Sequence, residues 1–127
     1  MAISTGGGVS ILLIDDHAIV RVGLRVLLAQ QDWCGTITEV ANGELGYQMF
    51  REHKPDAIVM DLSMPKMSGI TTIQRISAVD PATRILVVSV HDETVCVMQA
   101  MKAGAVGYVS KGAAPGEIGG AWQDLHQ

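Results

Sequence analysis

The sequence predicts an α/β fold built on a parallel sheet with helices on both faces, and three observations predict it. Short continuous apolar runs recur at Val9 to Ile14, Ala57 to Met60, Arg84 to Ser89 and Val106 to Ser110. Runs of that length, without polar alternation, suit strands buried on both faces. Between them stand segments whose apolar residues recur at helical spacing. The joining loops are only a few residues long, and such strand–helix alternation implies parallel crossover connections.

Composition bounds the answer further. With 127 residues the chain fits one domain with a real core. Residues 1–8, ending in Gly6-Gly7-Gly8, suit a flexible leader, and residues 9–127 the domain. Met1 to Gly8 lacks the basic and apolar regions of a signal peptide. No apolar run approaches the ~18 residues of a membrane span. A net charge of −4 has the wrong sign for an independent nucleic-acid binder. Cys34 and Cys96 stand far apart in apolar surroundings, which predicts buried free thiols and a reducing cytoplasm.

In chain order, Val9 to Ile14 is the first strand, closed by Asp15-Asp16, either of which could cap the helix that follows. That helix carries a wide apolar face of Ile19, Val22, Leu24, Val26, Leu27 and Leu28. Gly35 is expected to break the pattern, with a β-branched strand over Thr36 to Ala41. Asn42-Gly43 punctuates a turn before a helix from Glu44 to about His53, which Lys54-Pro55 ends because proline disfavours the helical conformation just before it. The strand Ala57 to Met60 leads to Asp61. A helix over Gly69 to Ala78, a turn at Asp80-Pro81 and the strand Arg84 to Ser89 follow. Asp92 can cap a helix bearing Val95, Val97, Met98 and Met101, which Gly104 terminates. The strand Val106 to Ser110 ends on Lys111, and Pro115 opens a last helix with Ile118, Ala121, Trp122 and Leu125 on one face. The methionines are expected to face the core.

In a parallel sheet, the strand ends meet on one edge, where open α/β folds place their ligands. Asp15, Asp16, Asp61, Ser89, Ser110 and Lys111 would therefore converge. Two carboxylates ~5 Å apart repel by about 3 kcal/mol at an effective dielectric near 20, so cationic compensation is required. Lys111 supplies one charge. All-oxygen ligation with room for waters favours Mg²⁺ as another source. An aspartate beside Mg²⁺ can attack phosphorus and form an aspartyl-phosphate, with positioning and charge stabilisation supplying most of the catalysis. Taken singly, Asp15 and Asp16 read mostly as helix caps, and Asp61 reads equally as a turn residue or a reactive one; it is their conjunction with Ser89 and Lys111 that points to a site.

Four segments carry a resemblance: Asp15-Asp16-His17, Asp61-Leu62-Ser63-Met64-Pro65, Val88-Ser89-Val90-His91-Asp92, and Gly104 through Lys111 in Gly-Ala-Val-Gly-Tyr-Val-Ser-Lys. Together they resemble the receiver domain of two-component response regulators, most closely the LuxR/NarL type with a helix-turn-helix output domain. The match runs over roughly residues 9 to 126. It implies a flavodoxin-like (βα)5 domain with strand order 2-1-3-4-5. It also implies Asp61 as phosphoacceptor, and Mg²⁺ held by Asp16, Asp61, the Ser63 backbone carbonyl and, more indirectly, Asp15. Ser89 would be the switch hydroxyl, Lys111 the partner of the phosphoryl group, and Tyr108 the switch aromatic, although a partly buried strand tyrosine explains Tyr108 nearly as well.

The resemblance further implies a sensor histidine kinase as donor, self-catalysed transfer and dephosphorylation rather than enzyme action on other substrates, and dimerisation on phosphorylation. DNA contact would belong to an output domain absent from these residues, expected to have been cut away. The alternative is a stand-alone receiver working through protein contacts. Rivals fare less well. A dinucleotide enzyme needs glycines where Asp15-Asp16-His17 stands. A Mg²⁺-dependent aspartyl-phosphate phosphatase of the haloacid-dehalogenase type wants a second aspartate where Ser63 stands. His17, His53, His91 and His126 lack zinc-ligand spacing.

Overall fold

The computed structural model describes residues 8–62, 69–89 and 94–110. Ser63, His91, Asp92, Lys111 and the expected last helix lie outside them. The element order is β1 Val9–Ile14, α1 Ala18–Ala29, β2 Cys34–Val40, α2 Gly43–His53, β3 Ala57–Met60, α3 Gly69–Val79, β4 Arg84–Ser89, α4 Thr94–Ala103 and β5 Gly107–Ser110. All strand pairings are parallel and the order is β2-β1-β3-β4-β5. The chain crosses from one side of β1 to the other between β2 and β3, which opens the crevice of a doubly wound sheet at the carboxyl ends of β1 and β3.

The period-2 geometry of the strands divides the core in two. Ile11, Leu13, Val59, Leu86, Val88 and Val109 line one face of the sheet and form one buried cluster with Leu24 and Leu28 of α1. Leu12, Ile14, Ile58, Met60, Ile85 and Val87 face Phe50 of α2, Ile73 and Ile76 of α3 and Ala100 of α4. Both faces of β1, β3 and β4 are thus covered, which is why those strands read as unbroken apolar runs. The sheet holds the strand ends rigidly, so a residue one step beyond a strand inherits a defined position.

Helix ends follow from local chemistry. The Asn42 side chain accepts a hydrogen bond from Leu45 N–H at 2.8 Å and caps α2. Glu44 in the first turn and Arg51 and His53 in the last complement the helix dipole. Lys54 closes α2 in the left-handed region, at φ 45°, immediately before Pro55. Asn42→Ala is expected to cost about 1 kcal/mol, measurable as a lower urea midpoint with an unchanged m-value.

Several expectations need correction. β2 begins at Cys34, so Gly35 lies inside the strand. A Cβ on Gly35 would stand 2.8 Å from the Gly8 carbonyl carbon, and the register between β1 and β2 shifts between Val9 and Ile11. Gly35 is therefore a close-approach glycine at an irregularity rather than a breaker. The cap position of α1 is His17, without a side-chain capping bond, and neither Asp15 nor Asp16 occupies it. The apolar face of α1 is only partly used: Leu24 and Leu28 are buried, whereas Ile19 is 88% exposed and Val22 and Val26 are also exposed. Met98 and Met101 point outward on α4, although Met60 is fully buried. Neither cysteine is in a disulfide and both are half-buried rather than buried, and burial pushes the Cys34 thiol up from its ordinary value. Among the described residues no helix is long and apolar enough to cross a membrane.

Candidate functional site

The end of β1 delivers Asp15 and the end of β3 delivers Asp61. Pairing of the two strands continues one residue past them, since Asp61 N–H donates to the Ile14 carbonyl at 3.1 Å. On the other side Asp15 N–H donates to the Val40 carbonyl at 3.2 Å. Backbone ladders thus fix both aspartates from below. Asp15 is 1% and Asp61 2% exposed, while the Asp16 side chain keeps 26% of its surface. Charged groups rarely sit this deep without compensation.

Asp15, Asp16, His17 and Asp61 each present a potential metal-ligating atom, all within 4.8 Å of one another. Nδ1 of the exposed His17 shows how closely they converge. It lies 3.3 Å from Asp15 Oδ1, 3.0 Å from Asp16 Oδ1 and 3.9 Å from Asp61 Oδ2. One point in space is therefore within 4 Å of all three carboxylates. Asp16 Oδ1 is enclosed yet has no hydrogen-bond partner among the described residues. Hard carboxylate oxygens around one point, with the exposed His17 ring as their close neighbour among the described residues, fit a hard divalent cation such as Mg²⁺.

Asp15 also has a local task. Its Oδ1 accepts the His17 backbone N–H at 2.8 Å, shaping the turn into α1 as aspartates do two residues ahead of a donor. Ser89 ends β4 and is fully buried. It pairs with Ser110 of β5, while Val87 pairs with Tyr108. Ser89 and half-buried Tyr108 hence lie on one face of the sheet, on adjacent strands and two residues apart in register. Tyr108 packs against the cluster of Ile85, Val87 and Ala105.

The structure thus brings Asp15, Asp16 and Asp61 together and puts Ser89 and Tyr108 on a common face. Ser63 and Lys111 fall outside the described residues. Three participants escaped the sequence reading. His17 entered as part of the Asp15-Asp16-His17 segment and as a histidine without ligand spacing, with no role at the site. Arg21 Nη1 donates to the Asp15 carbonyl at 2.7 Å, and its Nε meets Glu39 Oε1 at 3.2 Å. The one available signal for that pair is charge of opposite sign in neighbouring elements, two arginines in the mostly apolar α1 and a single glutamate in β2.

A doubly wound sheet with aspartates gathered at the ends of β1 and β3 defines a class, the receiver-type α/β domain. The family model described as "Response regulator receiver domain" matches residues 11–122, and the chain belongs to that family, in its LuxR/NarL branch. It is 34% identical over 118 residues to the response regulator UvrY of Escherichia coli K12, covering 93% of this chain and 54% of that protein. It is 38% identical over 104 residues to the oxygen regulatory protein NreC of Staphylococcus haemolyticus, covering 81% of this chain and 48% of that one. A crystal structure of a LuxR-family two-component response regulator from Aurantimonas superposes with a TM-score of 0.89 at 36% identity, covering 94% of this chain and 85% of that chain. The chain spans about half the length of the curated relatives it matches. Response regulators are signalling proteins rather than classical enzymes, and receiver domains bind Mg²⁺ at an acidic pocket.

Proposed function

We propose that this chain is a phosphorylation-activated switch in which Asp61 accepts a phosphoryl group from the phosphohistidine of a sensor kinase. The observation that carries the reading is the convergence of Asp15, Asp16 and Asp61 within 4.8 Å at the carboxyl edge of the sheet. An Asp61 oxygen attacks phosphorus, the phosphorus–nitrogen bond of the donor breaks, and the donor imidazole leaves with a proton. Asp16, Asp61 and Asp15 would hold Mg²⁺, joined by the Ser63 backbone carbonyl on the strength of the sequence resemblance. The ion would offset the carboxylate repulsion and neutralise charge on the phosphoryl oxygens.

Lys111, by the same resemblance, pairs with the phosphoryl group. Ser89 closes on it, and Tyr108 moves into the space released on the shared face of the sheet. The altered β4–β5 surface would then drive dimerisation and an output step. DNA binding and transcription control would belong to sequence beyond this chain, and the cytoplasm is the fitting compartment for a kinase-coupled switch. Self-catalysed hydrolysis of the aspartyl-phosphate would reset it.

Incubation with Mg²⁺ and acetyl phosphate provides the test. Intact-mass analysis is expected to show one added phosphoryl group per chain, dependent on Mg²⁺ and removed by mild alkali. An unmodified chain after saturating donor and metal would sink the proposal.

A further inference from the structure

We infer that Arg21 is a positioning residue for the metal-binding aspartates, acting through the backbone of the turn between β1 and α1. The inference rests on the Mg²⁺ site proposed above and adds a residue outside its ligands. Asp16 lies between two peptide groups that are both held. On one side the Asp15 carbonyl accepts Arg21 Nη1 at 2.7 Å. On the other the His17 N–H donates to Asp15 Oδ1 at 2.8 Å. Asp16 Oδ1 accepts no hydrogen bond of good geometry among the described residues. Its close polar neighbour, His17 Nδ1 at 3.0 Å, belongs to a side chain that is 58% exposed, so the two held peptides are the firmer constraint on where this carboxylate points.

Arg21 is in turn braced. Its Nε lies 3.2 Å from Glu39 Oε1 on β2, and Glu39 Oε2 takes Nε of Arg25 at 2.8 Å. The Arg21 side chain is 21% exposed and that of Glu39 28%, so water competes only in part for these bonds. A guanidinium presents several donors in a rigid fork, which lets one side chain reach a carbonyl and a carboxylate together. The ammonium of a lysine has no such fork. The path therefore runs from β2 through Glu39 and Arg21 to the Asp15 carbonyl, and from there to the ligand between the two fixed peptides. Supports of this kind orient metal ligands without touching the ion.

Arg25 is a built-in control. It stands on the same helix and pairs with the same Glu39, but among the described residues it has no bond to the turn. Calorimetric titration of Mg²⁺ into the whole chain, with no phosphodonor present, separates the two roles. Arg21→Gln is expected to raise the Mg²⁺ Kd about tenfold. Arg25→Gln is expected to stay within about twofold of the parent, as for loss of a half-exposed ion pair. Arg21→Lys, which can still donate to the carbonyl, is expected to fall between them. The metal-free melting temperature should drop further in Arg21→Gln, which also loses the bond to the Asp15 carbonyl. Kd is therefore read well below both melting temperatures, where a purely structural role would leave both variants near the parental affinity. Equal Kd values for the two, or a parental Kd for Arg21→Gln, would overturn the inference while leaving the Mg²⁺ site standing. If Arg21→Gln does not fold, Arg21→Lys against Arg25→Lys decides on the same criterion. A parent chain that takes up no Mg²⁺ removes the site reading and this inference with it.

Discussion

Asp61→Asn is expected to leave the fold intact and to reduce the acetyl phosphate adduct to background. Asparagine has the same shape as aspartate but offers a neutral amide, a poor nucleophile toward phosphorus. The fold does not depend on the lost charge through the backbone: Asp61 is held by its N–H to the Ile14 carbonyl, and β3 beneath it is buried along its whole length. A lost adduct alone would not separate a nucleophile from a mere metal ligand, because removing one of three clustered carboxylates also weakens Mg²⁺ binding. Two further measurements make the separation. Raising Mg²⁺ to saturation is expected to restore nothing in Asp61→Asn. Asp15→Asn removes the other buried carboxylate while keeping Asp61, and high Mg²⁺ is expected to recover its adduct. Recovery in Asp61→Asn would assign the nucleophile elsewhere.

The contrast between those variants tracks what could be read from sequence. β1 and β4 were legible to the residue, and β3 nearly so, because both faces of these strands are covered and burial on both sides writes itself as a continuous apolar run. The convergence of Asp15, Asp16 and Asp61 followed, since each lies within two residues of a strand end whose direction the parallel topology fixes. Surface helices were less legible. Spacing shows that Ile19 and Leu24 both belong to an apolar stripe, but only packing distinguishes Ile19, which is 88% exposed, from buried Leu24. Gly35 misled for a related reason: the demand for glycine comes from Gly8, 27 positions earlier, across the β1–β2 pair. Arg21 and Glu39 are 18 positions apart and meet only after α1 has folded back on the sheet. No local periodicity encodes such a pairing.

Glycines respond to the same packing with opposite signs, and Gly69→Ala is the second large effect. Gly69 opens α3 and donates its N–H to the Leu62 carbonyl at 3.1 Å. An added Cβ would stand 2.5 Å from Leu62 Cα, 2.8 Å from the Leu62 carbonyl oxygen and 2.9 Å from that of Asp61. Every one of these atoms is backbone, so no rotamer change relieves the overlap. Either α3 retreats from the sheet or the peptide after Asp61 shifts. Overpacking of this kind costs about 1–3 kcal/mol, a fall in Tm of roughly 5–10 °C for a domain of this size. The adduct rate is expected to fall further than stability does, by about tenfold to a hundredfold, because a displacement well under 1 Å is enough to spoil in-line attack. Gly23→Ala is the counterpart. Gly23 lies mid-way along α1, and nothing stands within 4 Å of the place an alanine methyl would take. Alanine there is expected to raise Tm by about 2–4 °C through its higher helix propensity. A thermal melt and an adduct time course on both variants check the pair. Parental adduct kinetics in a destabilised Gly69→Ala chain would show that α3 yields and Asp61 does not move.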